Sequence, residues 1–147
     1  YTPGISAAQA VAASLQLPLT HRGLATGLRF VTGHRAGDAA LDLDWASLAD
    51  PRTTLAVYMG AANIAEIASR LIAHGMPADL PVLAVSQAST PRARAVRADL
   101  GRIAAVVRDN PMPAPVLFLI GHVAALAEGA VLSAPAFVQP ETLVPHG

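Results

Sequence analysis

A short apolar run followed by an amphipathic helical pattern constrains the fold of this 147-residue chain more than any other feature. Residues 54–58 read Thr-Leu-Ala-Val-Tyr, which is typical of a strand buried on both faces. Asn63, with Glu66 three residues later, predicts a reciprocally capped helix start. The apolar residues that follow recur at helical spacing and are Ile64, Ile67, Ala68, Leu71 and Ile72. A strand that leads directly into such a helix predicts an α/β domain.

The remaining segments extend this pattern into one domain. Helical patterns alternate with strand-like runs, except for one strand–strand step near Ser89. We therefore predict an α/β fold with a mixed, mostly parallel sheet of about five strands and helices packed on it. The predicted strands are 28–32, 54–58, 81–85, 92–98 and 116–120. We assign residues 1–129 to this domain, and we expect the Pro- and Ala-rich segment 130–147 to be a loose tail because it lacks periodicity.

The composition argues against several classes of function. Hydrophobic residues make up 53% of the chain, charged residues 14%, and the formal net charge is zero. Because no basic block is present, we expect neither nucleic acid nor a membrane surface as a partner. The absence of cysteine removes disulfide and thiolate chemistry. The apolar runs are too short to cross a bilayer and no signal peptide is visible, so we expect a cytoplasmic protein.

Short motifs mark the turns between the predicted elements. In order along the chain they are Pro3-Gly4-Ile5-Ser6-Ala7-Ala8, Pro18-Leu19-Thr20-His21-Arg22, Val31-Thr32-Gly33-His34 and Tyr58-Met59-Gly60. In order and spacing this series resembles the uroporphyrinogen-III C-methyltransferases, which belong to the tetrapyrrole methylases. The similarity continues through Pro81 and Val82 and through Ser89-Thr90-Pro91 to Gly121, and so covers most of the chain. No single motif is specific, but their shared order is.

The resemblance implies methyl transfer from S-adenosylmethionine to uroporphyrinogen III, which gives precorrin-2 for sirohaem or cobalamin synthesis. In the family the cofactor lies between two α/β domains, and the corresponding contact positions in this chain are Ser6, Ala7, Met59 and Ala88. Ser6 offers a hydroxyl at the positive end of a helix. Met59 follows a strand and can cover an adenine ring, and Ala88 lets the backbone approach. The alternative is that Met59 and Ala88 only fill the core.

The tetrapyrrole substrate carries many carboxylates, and an arginine fork is their natural partner. His21 and Arg22 are therefore candidate substrate-binding residues. The alternative is a hydrogen-bonded corner histidine beside an ordinary surface charge. The other histidines are too scattered to suggest a metal site, and no pair of side chains in this chain suggests a catalytic acid and base.

The family carries its glycine-rich motifs and its proposed acid/base residues upstream of the Pro-Gly-Ile motif with which this chain begins. We therefore expect a C-terminal part of a longer enzyme, which lacks the N-terminal domain and is inactive alone. The resemblance also implies that the complete enzyme is a homodimer. Two alternatives stay open: a precorrin methyltransferase that acts later in the pathway, and a non-catalytic binding or dimerisation module.

Overall fold

The computed structural model describes residues 1–37, 39–127 and the backbone of 131–133. Helices α1 to α4 are Ala7–Ser14, Trp45–Leu48, Ile64–Ala73 and Ile103–Asp109. Strands β1 to β6 are Gly27–Thr32, Thr53–Tyr58, Pro81–Ser86, Arg94–Asp99, Val116–Ile120 and Val131–Ser133. Short 3-10 turns precede α3 at Ala61–Asn63 and follow β5 at His122–Leu126. No helix among the described residues is long and apolar enough to span a membrane.

The strands lie across the sheet in the order β1-β2-β5-β3-β4-β6. Within the described part of the chain, β1 and β2 are the one parallel pair, and the other four neighbouring pairs are antiparallel. The prediction of a mixed α/β sheet is confirmed, but the prediction that it is mostly parallel is wrong. The reason is that β5 inserts between β2 and β3 and runs against both, and that β4 runs against its neighbours β3 and β6.

The five predicted strands are all present, and a sixth, β6, lies within the segment predicted to be a tail. Its three residues pair with Arg94, Ala95 and Val96 of β4, so these three residues are a strand and not a loose segment. The remainder of that segment, 134–147, lies outside the described residues, as do 128–130. A domain boundary at residue 129 therefore stays a prediction.

The core lies on both faces of the sheet. On one face Leu55 and Val57 of β2 pack with α2, α3 and α4, while on the other Ala56 packs with α1 and the 3-10 turn after β5. Alternate residues of β2 thus enter two different clusters, because successive side chains of a strand point to opposite faces. This explains why residues 54–58 form a continuous apolar run, and the prediction of a doubly buried strand is confirmed.

Helix α1 begins at a capping box, whereas α3 does not. The Gln9 N–H donates to Ser6 Oγ at 3.3 Å, and the Ser6 N–H donates to Gln9 Oε1 at 3.0 Å. Asn63 is the N-cap residue of α3, as predicted, but its side chain makes no capping hydrogen bond, so the predicted reciprocal cap with Glu66 is wrong. Its Nδ2 donates instead to the Gly33 carbonyl at 2.7 Å, and Glu66 pairs with Arg35. Both contacts attach the loop after β1 to α3.

Candidate functional site

Strands β1, β2 and β3 end at the same edge of the sheet, as does the short β6. β1 is parallel to β2, and both β2 and β3 are antiparallel to β5, so β1, β2 and β3 run in one direction. Their carboxyl ends therefore meet at one edge, where β5 begins at Val116. Ligands of open α/β sheets bind outside the carboxyl ends of strands. Met59, which follows β2, and Ala88, which follows β3, both lie at this edge.

A cleft of about 430 Å³ opens at this edge. Its walls are Ala7 at the start of α1, Tyr58 and Met59 at the end of β2, Ala88 after β3, and Pro115 before β5. Three of the four predicted cofactor residues thus line one cleft. Its volume falls within the range of roughly 300–1,000 Å³ that is usual for small-molecule sites. The lining is small and mainly apolar, and Tyr58 is its one ionisable residue among those the structure describes.

The backbone beside the cleft is strained at three residues that are not glycine. Met59, Gln87 and Ser89 have φ angles of +53°, +49° and +64°, in the left-handed region that side chains disfavour. Such residues persist where the surrounding structure holds them, and they cluster at functional sites. Met59 is 62% exposed, which contradicts the alternative that it fills the core. Ala88 lies between Gln87 and Ser89 in the sequence. It is half-buried and also packs against the core on the α1 face.

The first turn of α1 leaves one backbone donor for the cleft. The first N–H groups of any helix have no partner within it. Here the capping box uses those of Ser6 and Gln9, and the Ala8 N–H donates to the Tyr58 hydroxyl at 3.0 Å. No residue in the described ranges accepts a hydrogen bond from the Ala7 N–H, and Ala7 lines the cleft. Ser6, the fourth predicted cofactor residue, lies next to the lining, and its hydroxyl is engaged by Gln9.

Side-chain contacts also fix the opposite wall. The Ser86 hydroxyl, which is fully buried, donates to the Pro113 carbonyl. The Gln87 N–H donates to the Pro115 carbonyl at 2.8 Å, and its side-chain amide donates to the Ala114 carbonyl at 3.4 Å. These contacts hold the segment before β5 against the end of β3. Hydrogen bonds within the chain itself therefore hold both walls of the cleft.

The structure does not bring His21 and Arg22 to this cleft. The His21 N–H donates to the Ala25 carbonyl at 2.8 Å, and the Thr26 N–H donates to the Arg52 carbonyl at 2.8 Å. This turn therefore lies beside the amino ends of β1 and β2. Because a six-residue strand is roughly 17–20 Å long, the pair and the cleft are at opposite edges of the sheet. Both side chains are exposed and line a separate hollow of about 260 Å³.

Sequence reasoning missed two residues that shape the cleft, Tyr58 and Pro115. Tyr58 ends an apolar strand, and a tyrosine at such a position was the available signal for a hydroxyl near the cleft. Pro115 lies in a Pro-rich connector that indicates a turn but no particular neighbour. In the described ranges no three His, Asp or Glu residues lie close enough to hold a metal ion.

Comparison with known proteins identifies the family. Residues 1–104 match the sequence model of the tetrapyrrole (corrin/porphyrin) methylases. The chain is 67% identical over 147 residues to uroporphyrinogen-III C-methyltransferase of Paracoccus denitrificans (strain Pd 1222). This alignment covers all of this chain and 51% of that protein. It is 44% identical over 126 residues to the chloroplastic S-adenosyl-L-methionine-dependent uroporphyrinogen III methyltransferase of Arabidopsis thaliana. That alignment covers 85% of this chain and 34% of the plant protein.

Two solved structures from Thermus thermophilus have a similar fold. The native form of uroporphyrin III C-methyltransferase superposes with a TM-score of 0.68 at 35% identity, over 85% of this chain and 52% of that chain. The same enzyme complexed with S-adenyl homocysteine gives a TM-score of 0.69 at 34% identity, over 85% and 53%. The chain spans only about a third to a half of the length of these relatives. The chain belongs to the tetrapyrrole methylase family.

Proposed function

We propose that this chain provides the cofactor-side half of an S-adenosylmethionine-dependent uroporphyrinogen-III C-methyltransferase, which converts uroporphyrinogen III to precorrin-2. The observation that carries the proposal is the cleft that unites Ala7, Met59 and Ala88 at the carboxyl edge of the sheet. The 67% identity to an enzyme of that activity supports it. The likeness to an enzyme complexed with S-adenyl homocysteine supports the choice of cofactor.

The residues of the cleft fit the cofactor. An adenine ring is flat and largely apolar on its faces, and the cleft offers small apolar walls together with the exposed thioether of Met59. The Ala7 N–H, at the positive end of α1, can donate to a ring nitrogen or a sugar oxygen. Bound S-adenosylmethionine supplies an electrophilic methyl group.

The contribution of this chain to catalysis is positioning. Met59 and Ala88 would hold the adenine between them, and the Ala7 N–H would fix its orientation. Because hydrogen bonds within the chain hold both walls, we expect that little conformational entropy is lost when the ligand binds. Holding two reactants in line lowers the barrier without any charged group from this half of the site. No residue of this chain is assigned the role of acid or base.

We propose that His21 and Arg22 bind a carboxylate of the tetrapyrrole substrate. Arg22 is exposed, and the described residues provide no acceptor for its guanidinium, which leaves that group available to a ligand. A guanidinium can bind a carboxylate through two parallel hydrogen bonds. Arg22 is distant from the cleft, so the carboxylate that it binds must lie far from the substrate carbon that receives the methyl group.

We also propose that an N-terminal domain of the complete enzyme closes the cleft. The complete enzyme would pair into a homodimer and would be located in the cytoplasm. Phe30 supports an interface at β1, because it is 58% exposed on the outer strand of the sheet. Sedimentation of the complete enzyme at several concentrations tests the dimer. A monomer at micromolar concentration would contradict this part of the proposal.

A chimera tests the proposed function. The segment of the Paracoccus denitrificans relative that aligns with this chain is replaced by this chain, so that the other half of the enzyme is present. Incubation with uroporphyrinogen III and labelled S-adenosylmethionine should give precorrin-2 at a rate within about tenfold of the parent enzyme, while the chain alone should give none. A folded chimera that neither binds S-adenosylhomocysteine nor methylates would contradict the proposal.

A further inference from the structure

Tyr58 connects α1 and β1 to β2 beside the cleft, through its side chain and its main-chain carbonyl. Its hydroxyl accepts the Ala8 N–H of α1 at 3.0 Å, across 50 residues of sequence. Its ring packs against Phe30 of β1, with ring centroids 6.0 Å apart. Its carbonyl accepts the N–H of Gly33, which follows β1, at 2.6 Å. Tyr58 also lines the cleft itself and directly precedes Met59.

We infer that Tyr58 is a positioning residue, whose hydroxyl holds the first turn of α1 so that the Ala7 N–H faces the bound cofactor. The inference rests on the proposed function, since it concerns the same cleft. Ala8 is fully buried while the hydroxyl is present, so removal of the hydroxyl takes away the one acceptor that its N–H has among the described residues. The first turn must then shift to find another acceptor, and Ala7 shifts with it.

The capping box alone cannot fix this turn. Ser6 and Gln9 satisfy each other's N–H groups, and both residues belong to the same helix end, so their contacts leave the helix free to move relative to the sheet. Ala8 and Val11 of α1 share a buried cluster with Ala56 of β2, and within the described part of the chain the hydrogen bond from Ala8 to Tyr58 is the polar contact that attaches the turn to β2. This hydrogen bond adds a directional constraint to the apolar packing and so helps to set the distance between Ala7 and Met59, on the two sides of the cleft.

The test is Tyr58→Phe, which removes the hydroxyl and keeps the ring. In the chimera, the Kd for S-adenosylhomocysteine and the KM for S-adenosylmethionine should both rise by about tenfold, because a buried N–H loses its acceptor. The kcat at saturating cofactor should stay within about twofold, because the hydroxyl takes no part in the chemical step. In the isolated chain, the Ala8 amide proton should exchange faster with solvent and its resonance should shift.

Thr54→Val is the matched control, because it removes a hydroxyl from the same strand. Thr54 is fully buried and its Oγ1 has no hydrogen-bond partner among the described residues, so Kd should not change. Ser6→Ala supplies a second test. If Tyr58 acts through the first turn of α1, the effects of Ser6→Ala and Tyr58→Phe on Kd should be strongly non-additive.

Several results would overturn the inference. They are an unchanged Kd for Tyr58→Phe in a chimera that binds the cofactor, an Ala8 amide that does not respond, and strictly additive effects with Ser6→Ala. In these cases the proposed function stands. A wild-type chimera that binds no S-adenosylhomocysteine removes the proposed function and the inference together.

Discussion

Gly33 and Gly60 are in backbone contact: a Cβ atom on Gly33 would lie 2.5 Å from the Cα of Gly60. Gly33 follows β1, and Gly60 follows Met59 after β2. The contact brings together the ends of two parallel strands, and the Asn63 side chain holds it from α3. The backbone that carries Met59 is therefore fixed by a contact that admits no side chain.

We expect Gly33→Ala to lower the free energy of unfolding by about 2–3 kcal/mol, because backbone atoms cannot move aside as a flexible side chain can. Gly4→Ala is the matched control, since no atom lies within 4 Å of a Cβ at Gly4. Urea unfolding followed by circular dichroism measures both. Equal stability of the two variants would contradict the close approach.

Met59→Gly should separate binding from stability. Glycine removes left-handed strain of roughly 1–2 kcal/mol, offset by roughly 0.5–1 kcal/mol of extra unfolded-state entropy, so the free energy of unfolding should rise by up to about 1.5 kcal/mol. The affinity of the chimera for S-adenosylhomocysteine should fall roughly ten- to hundredfold, because an apolar contact is lost. Met59→Leu, which keeps an apolar side chain, should retain most of the affinity. Calorimetric titration measures the affinity and thermal melting measures the stability. A lower melting temperature for Met59→Gly would contradict the assignment of Met59 to the cleft wall.

Arg22→Ala tests the substrate-binding proposal. In the chimera the KM for uroporphyrinogen III should rise roughly ten- to hundredfold, since a charge-assisted hydrogen bond is worth about 1.5–3 kcal/mol. The affinity for S-adenosylhomocysteine should not change, because Arg22 lies at the other edge of the sheet. Arg108→Ala, an exposed arginine on α4, is the control. An unchanged KM would make Arg22 an ordinary surface charge.

Asp50 should contribute stability that depends on pH. Its carboxylate accepts the Arg52 N–H at 2.9 Å and the Thr53 hydroxyl at 2.9 Å, and these bonds hold the pKa of Asp50 below its usual value. Because the pKa is lower in the folded state, the contribution is complete above the unfolded pKa, near 4, and is lost as pH falls through the folded pKa.

Asp50→Asn measures this contribution. At pH 6 the wild-type chain should be more stable than the variant, and the difference should shrink steadily below about pH 4. Urea unfolding at a series of pH values gives the two curves. Parallel curves down to pH 2 would show that Asp50 keeps its ordinary pKa.

The parts of the fold that sequence predicted are those that local rules decide. The Ser6–Gln9 capping box lies within four residues, and the run at 54–58 follows from burial on both faces. The insertion of β5 between β2 and β3 depends on pairing between residues about 30 to 60 positions apart, as in Val57 with Phe118. No local pattern encodes that choice. The position of Asn63 at the start of α3 was predicted correctly, but its capping hydrogen bond was not, because its side chain bonds to Gly33, 30 residues away.

The candidate site shows the same division. Ala7, Met59 and Ala88 came from a resemblance to known enzymes, and the residue types alone did not indicate a ligand. The left-handed backbone of Met59 could not be read from sequence, since methionine is not enriched in that conformation. The contact between Tyr58 and Ala8 could not be predicted either, because it depends on how α1 packs against β2.

The most direct test of the account is a methyl resonance of Met59. The chain has three methionines, and Met76 is an internal control because it is buried in the core on the other face of the sheet. In a chimera labelled with ¹³C-methyl methionine, Met59→Leu assigns the resonance, and S-adenosylhomocysteine is then titrated. We predict a saturable shift of the Met59 methyl under the adenine ring and no shift of the Met76 methyl. A chimera that binds the ligand without a shift at Met59 would contradict the central claim that this cleft is the cofactor site.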